Sequence, residues 1–242
     1  MRRPGIICNS CCNRLSIRVA VNPSVERYRE QFRKEEIGGA YRGRLHLLFT
    51  SAVSLSVVAW CILSLDQVKP LEWLTIPAVF IYANLVEYFG HRYPMHHPVK
   101  GLKILFFRHT KQHHRFFTDK EMTFANSRDY KAVLFPPEMI VFFLGGFGLP
   151  MWVALYFLVS ANVAWLALGM ALAYFINYEW LHWAYHCDPQ SRVGRIPGVQ
   201  ALRTLHLHHH DPSLMSHYNF NITYPIGDWI FRTLYDVKGQ RS

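Results

Sequence analysis

Apolar and polar positions alternate on a long scale along this chain. Leu45 to Leu65 carries no charged residue and reaches the length of about 20 helical residues that a bilayer core requires. After a short break, Asp66 to Pro70, a second apolar run extends from Leu71 to Phe89, with Glu72 near its start and Glu87 near its end. So short a break predicts a helical hairpin. Leu134 to Tyr178 is too long for one span and carries Gly145, Gly146, Gly148 and Pro150 in its first half. Proline and clustered glycine interrupt helices, so a second hairpin is expected, with a short first arm and its tip near Gly148 to Pro150. Apolar residues cover every face of these runs instead of one stripe, which argues for membrane helices over a buried soluble core. Ahead of the first run, Ser24 to Ile37 places Tyr28 and Phe32 one turn apart among Arg27, Arg29, Arg33 and Lys34 and stops at Gly38-Gly39. It reads as an amphipathic helix on the membrane surface, with a plain soluble helix as the alternative.

Charge sets the expected orientation. The formal net charge is +10. Arg2, Arg3, Arg14, Arg18, Arg42 and Arg44 precede the first run. Lys100, Lys103, Arg108, Lys111, Arg115 and Lys131 separate the two hairpins, and Arg192, Arg195, Arg203 and Arg232 follow the last run. The hairpin tips carry only Lys69. The positive-inside rule then puts both termini and the central polar segment in the cytoplasm. A basic chain also suits nucleic acid, but these residues flank apolar runs and form no nucleic-acid-binding motif, so a polybasic membrane flank is the reading adopted. The mean hydropathy of +0.04 averages over this division.

The 242 residues allow one domain or two small ones. The division expected is a basic lead and amphipathic helix over 1–44 and a membrane-embedded domain over 45–242. No apolar stretch of signal-peptide length opens the chain, so no secretory cleavage is expected. Of the five cysteines, Cys8, Cys11 and Cys12 lack neighbouring zinc ligands and read as reduced thiols on a mobile tail. Cys61 reads as a small core residue.

Histidine changes the picture most. It is gathered in four clusters, the first and third just after apolar runs and the second and fourth in the polar segments: His91, His96 and His97; His109, His113 and His114; His182 and His186; His206, His208, His209 and His210. His182 and His186 lie four apart and share a helix face, and His109 and His113 repeat that spacing. Adjacent His-His pairs let neighbouring imidazoles serve two metals. An isolated histidine such as His46 is ordinarily a satisfied core or surface residue, which does not explain four clusters on one side of a membrane. Ten or so imidazoles exceed what a zinc site uses and suit two metals of higher coordination number. Imidazole suits iron, copper, nickel and zinc alike, so spacing does not choose among them.

These clusters resemble the histidine boxes of the membrane fatty acid hydroxylase and sterol desaturase superfamily, whose pattern is H-x3/4-H, H-x2/3-HH, H-x3-H and H-x2-HH between pairs of membrane helices. The resemblance spans roughly residues 71–235. It includes Phe135-Pro136-Pro137, Asn219-Phe220-Asn221, Asp228-Trp229 and Thr233-Leu234-Tyr235. It implies an all-α fold: a four-helix transmembrane stem of two hairpins under a cytosolic helical cap holding a dimetal site. It implies as ligands His91, His96, His109, His113, His114, His182, His186, His206, His209 and His210, binding two non-haem irons. At His109 the chain departs from the commonest spacing, with three residues instead of two before the His pair. His97, His208 and His217 are extras. Glu87, Glu179, Asp211 and Asp228 are candidates to fix the outer imidazole nitrogens, with Asp228 preferred. Phe106, Phe107, Phe116, Phe117, Trp180 and Trp183 flank the boxes, as a lining for an apolar path or as interfacial anchors.

The activity implied is hydroxylation of a fatty acyl chain or other membrane lipid with O2, because no protein side chain attacks an unactivated C–H bond. Phe135-Pro136-Pro137 and the Asp228-Trp229 tail look more like the lipid hydroxylases than the acyl desaturases. No haem-binding or nucleotide-binding motif is present, so electrons are expected from a separate ferredoxin or cytochrome-type protein docking on the basic face. A desaturase of the same family is the alternative outcome. A membrane metal-binding or transport protein is the alternative of another class, and would favour ionisable residues near the bilayer midplane.

Overall fold

The computed structural model describes residues 22–235, and every described element is helical or a turn. The basic lead and its three cysteines lie outside the described residues. Helix α1 is Pro23–Glu35, opened by Asn22, whose side chain accepts from the Ser24 amide. Helix α2, Gly43–Leu63, forms the first apolar run. At its start Gly43 passes so close to the Ser127 carbonyl that a Cβ would lie 1.8 Å from that oxygen, so only glycine admits this crossing. The second run forms a 3-10 turn, Pro70–Leu74, and helix α3, Thr75–Gly90, which continues into a π turn, His91–Met95.

The polar segment that follows contains α4, Lys103–Phe106, a second π turn, Phe107–His113, and α5, His114–Phe116. Helices α6, Glu138–Phe143, and α7, Leu149–Leu158, are joined by a third π turn, Leu144–Gly148. Helix α8 is Ala161–Tyr185, α9 is Pro197–His209 and α10 is Ile226–Ile230.

The second hairpin differs from expectation. Its tip is not at Gly148 to Pro150. Residues Glu138–Leu158 run as one apolar helix of 21 residues, and the chain turns at Val159 and Ser160. Pro150 sits in the first turn of α7, just after the wide π turn, where its missing N–H interrupts no regular α ladder. Ser160 caps α8 by accepting from the Val163 amide.

Among the described residues, three helices are long and apolar enough to cross a membrane: Gly43–Leu63, Glu138–Leu158 and Ala161–Tyr185. Helix α3, with 16 residues, spans only about 24 Å at 1.5 Å per residue, short of a hydrocarbon core of about 30 Å. Helix α8 is the centre of the bundle and packs against α2, α3 and α7. Cys61 of α2 is buried against Gly169 of α8, where a Cβ would come within 3.1 Å of it.

Both hairpin tips meet at one end. Asn162 bonds the Asp66 carbonyl and Glu72, and Ser160 donates to Glu72 at 2.5 Å. The histidine clusters begin at the other end, where α3 and α8 stop.

At that end α1 is covered by protein. Phe32, on the apolar side of the helix read as membrane-surface or plain soluble, is buried edge-on against Phe116 at 5.3 Å, beside Phe117, Met122 and Val133. The apolar side of this amphipathic helix therefore closes over the polar segment between the hairpins.

Candidate metal centre

Ten buried histidines converge at the ends of α3 and α8, His182 in the last turn of α8 itself. His91, His96, His109, His114 and His209 form one group, and His113, His182, His186 and His206 another; within each, one nitrogen per ring lies within 4.8 Å of all the others. His210 joins the second group, its Nε2 lying 3.1 Å from those of both His113 and His206. Thus the two adjacent pairs, His113-His114 and His209-His210, each divide between the groups.

Local helix geometry decides which histidine goes where. On α8, His182 and His186 follow ordinary α spacing and share a group. His91 and His96 are five apart, as are His109 and His114. Five residues of α-helix would separate such a pair by about 140° around the axis. Here each pair lies on or beside a π turn, whose wider winding returns residue i+5 to the same side. His109 and His113, expected to share a metal from α spacing, stack at 5.2 Å but belong to different groups. The extra residue in this box is taken up by the π turn, so His109 sits centrally, 2.7 Å from His91 and 3.0 Å from His114 between Nε2 atoms.

The outer nitrogens are held mainly by backbone. Nδ1 of His91 donates to the Phe220 carbonyl, that of His209 to Tyr218 at 3.0 Å, and that of His113 to Ala132 at 2.9 Å. Nδ1 of His186 donates to Met122 at 2.8 Å and that of His210 to Phe117 at 2.9 Å. Nδ1 of His114, His182 and His206 has no hydrogen-bond partner among the described residues. A carbonyl only accepts, so each of the five tethered rings carries its proton on Nδ1 and turns a bare Nε2 lone pair inward. Burial holds these rings neutral. Desolvation pushes His113 and His209 down to about 4, and His91, His186 and His210 well below the usual imidazole range, helped by the neighbouring imidazoles.

The carboxylates behave differently from one another. Asp228 touches no histidine. It accepts from the amides of Phe220 and Asn221 at 2.9 and 2.7 Å and from the Thr233 hydroxyl at 2.7 Å, fixing the segment whose Phe220 carbonyl holds His91. Glu87 accepts from the Ile222 and Thr223 amides, the Thr223 hydroxyl and the Tyr174 hydroxyl, tying the same segment to α3 and α8. Glu179 accepts from the Phe135 amide at 3.3 Å, and Asp211 from Ser213. His97 and His217 are exposed and His208 is half-buried against Tyr235; none joins either group. His46 is the contrasting case. Its Nδ1 meets the Tyr41 hydroxyl at 2.8 Å and its Nε2 the Phe135 carbonyl at 3.1 Å, so both nitrogens are occupied.

Of the flanking aromatics, Phe116 and Phe117 are fully buried beneath α1. Phe106 is half-buried and Phe107 exposed. Trp180 and Trp183 line a surface groove of about 650 Å3 between α2, α8 and α9. Of its α8 residues, Asn177, Trp180, Leu181 and Ala184 fall on the side of the helix away from His182 and His186, and Trp183 lies between the two sides.

Sequence comparison identifies no relative: no family profile matches the chain, and no curated protein matches it significantly. The fold does have a solved counterpart. It matches the hydroxylase domain visible in the structure of full-length scs7p, with a TM-score of 0.55 and 17% identity, over 81% of this chain and 67% of that one. The chain therefore shares its fold with that domain, and its own histidine clusters fit a histidine-box site.

Proposed function

We propose that this chain is a membrane oxygenase that binds two irons and hydroxylates a fatty acyl chain or other membrane lipid with O2. The observation that carries this reading is the facing of lone pairs. His113 and His210 both donate from Nδ1 to carbonyls, and their Nε2 atoms are 3.1 Å apart. Neither nitrogen holds a proton to share, so the pair repels unless a cation lies near both. Nε2 contacts of 3.0–3.3 Å recur among His91, His96 and His209 and among His113, His182, His186 and His206. A neutral all-imidazole set of this size suits borderline transition metals and leaves out the oxygen ligands that calcium or magnesium want.

In this reading His91, His96, His109, His114 and His209 hold one iron, and His113, His182, His186, His206 and His210 hold the other. When bound, the irons supply the activation of O2 that C–H oxidation requires. The protein's own contribution is position. The tethered Nδ1 atoms fix each ring, and buried packing keeps the imidazoles neutral at physiological pH. The ends of α3 and α8 set the centre beside the bilayer, where an acyl chain is available. Lys100, Lys103, Lys111 and Arg115 are exposed on the segment bearing the second box and suit docking of an acidic ferredoxin or cytochrome-type electron donor. The distribution of basic residues favours a cytoplasmic site under four membrane helices, with α3 extended by its flanking turns. The histidines lie at or beyond the ends of the apolar helices, away from their middles, which disfavours transport through the bilayer.

Lipids from cells expressing the protein under 18O2 test the reaction. The expected product is heavier by one oxygen and carries the label, whereas labelled water leaves it unlabelled. A product lighter by two hydrogens and free of label would replace hydroxylation by desaturation.

A further inference from the structure

Arg29 of α1 is buried, 4% exposed, and forms no ion pair among the described residues. Its guanidinium lies 5.1 and 5.5 Å from the ring centroids of Phe116 and Phe117. Nε donates to the Phe116 carbonyl at 2.7 Å and Nη2 to the Glu121 carbonyl at 2.6 Å. Each of these residues immediately precedes one whose carbonyl holds a histidine: Phe117 holds His210 and Met122 holds His186. Phe117 is extended, with φ −117° and ψ 128°, and in extended chain successive carbonyls point to opposite sides. One carbonyl thus faces out to Arg29 while the next faces in to the metal centre. The Phe117 ring also lies 4.0 Å from that of His186.

Arg33 acts on the same segment, whereas Tyr28 donates to the Lys111 carbonyl at 3.1 Å in the π turn of the second box. Arg33 forms a two-pronged pair with Asp129 at 2.9 and 3.0 Å. Asp129 accepts from the Ala125 amide at 2.9 Å and lies within the 3-10 turn Ser127–Ala132, whose last carbonyl, that of Ala132, holds His113. Every carbonyl tether of the second histidine group therefore lies on the segment backed by α1. The tethers of the first group, on Phe220 and Tyr218, lie on the segment tied by Asp228 and Glu87.

We propose that Arg29 is a positioning residue for one metal only, so that its two contacts govern occupancy of the His113, His182, His186, His206 and His210 position and leave the other position to the C-terminal segment. This rests on the two-metal reading above. A guanidinium is needed because one rigid fork reaches two carbonyls at once while its face lies on aromatic rings.

The test is anaerobic Fe2+ binding to full-length protein in detergent or nanodiscs, over graded free Fe2+. The parent is expected to fill two positions. Arg29→Met is expected to fill one with parent affinity and the other about 10-fold more weakly, the scale of lost support behind metal-bound imidazoles. Arg29→Lys, which keeps the charge and stem but loses the fork, weakens the same position by less and guards against failure of the methionine variant to fold. At limiting Fe2+, adding His186→Ala to Arg29→Met removes no further metal, whereas adding His209→Ala removes what is left. Parent affinity at both positions in a folded Arg29 variant overturns the inference, as does equal weakening of both. Should His186→Ala and His209→Ala singly leave binding intact, the two-metal reading itself fails, independently of Arg29.

Discussion

Replacing His210 by alanine is expected to abolish the oxidised lipid product and to empty one of the two metal positions. Its Nε2 lies 3.1 Å from both His113 and His206, so it joins two rings of the second group. Its Nδ1 is the group that binds the Phe117 carbonyl. The substitution removes a ligand and orphans a buried acceptor together, a loss of about 1–3 kcal/mol for the acceptor alone. His46→Ala is the matched control. His46 is also buried with both nitrogens bonded, so its loss is expected to lower thermal stability on the same scale while bound metal per folded chain stays unchanged. Product yield, metal content and melting temperature of the two variants check this. Equal metal loss in both would reduce His210 to a packing role.

Asp228→Ala is expected to act on the other position without touching a histidine. It leaves the Phe220 and Asn221 amides and the Thr233 hydroxyl without their acceptor, each costing about 1–3 kcal/mol when buried. The Phe220 carbonyl then loses its fixed aim at His91. Weakened binding, about 10-fold or more, should fall on the group containing His91 and His209 and spare the group containing His113 and His186. Gly227 sharpens the case, since a Cβ there would lie 2.8 Å from Tyr88, leaving this segment little room to settle elsewhere. Metal titration of Asp228→Ala shows which position weakens; loss confined to the His113 group would contradict this account.

The coming together of the four histidine clusters was legible in sequence because chemistry and spacing coincide there: few residue types bind metals, and His182 and His186 sit four apart on a regular helix; the choice of ten among them came from the resemblance to histidine boxes. Their partition between the groups was not legible at His109, His113 and His114. Periodicity assumes the α winding, and a π turn alters it by one residue without a sequence signature of its own. The hairpin tip was misplaced for a related reason. Pro150 and the neighbouring glycines usually mark a break, but proline in the first turn after a π turn does not stop the helix. The supports were hidden for another reason. Carbonyls of Phe117, Met122, Ala132, Tyr218 and Phe220 are backbone atoms that any residue would supply, so no side-chain pattern reveals them. Asp228 was singled out as a partner for an imidazole and instead acts on the amides next to one. Arg29 appeared only as one of several basic residues on an amphipathic helix. The signal available was its place on the Phe32 side of α1, where a charged residue needs a particular reason to be buried.

The central claim is that two irons occupy the two histidine groups. Purified full-length protein, loaded anaerobically with Fe2+ and freed of loosely bound metal, should retain two irons per chain by elemental analysis, and O2 should then yield hydroxylated lipid when electrons are supplied. A single zinc per chain, with no iron retained and no activity after iron loading, would contradict it.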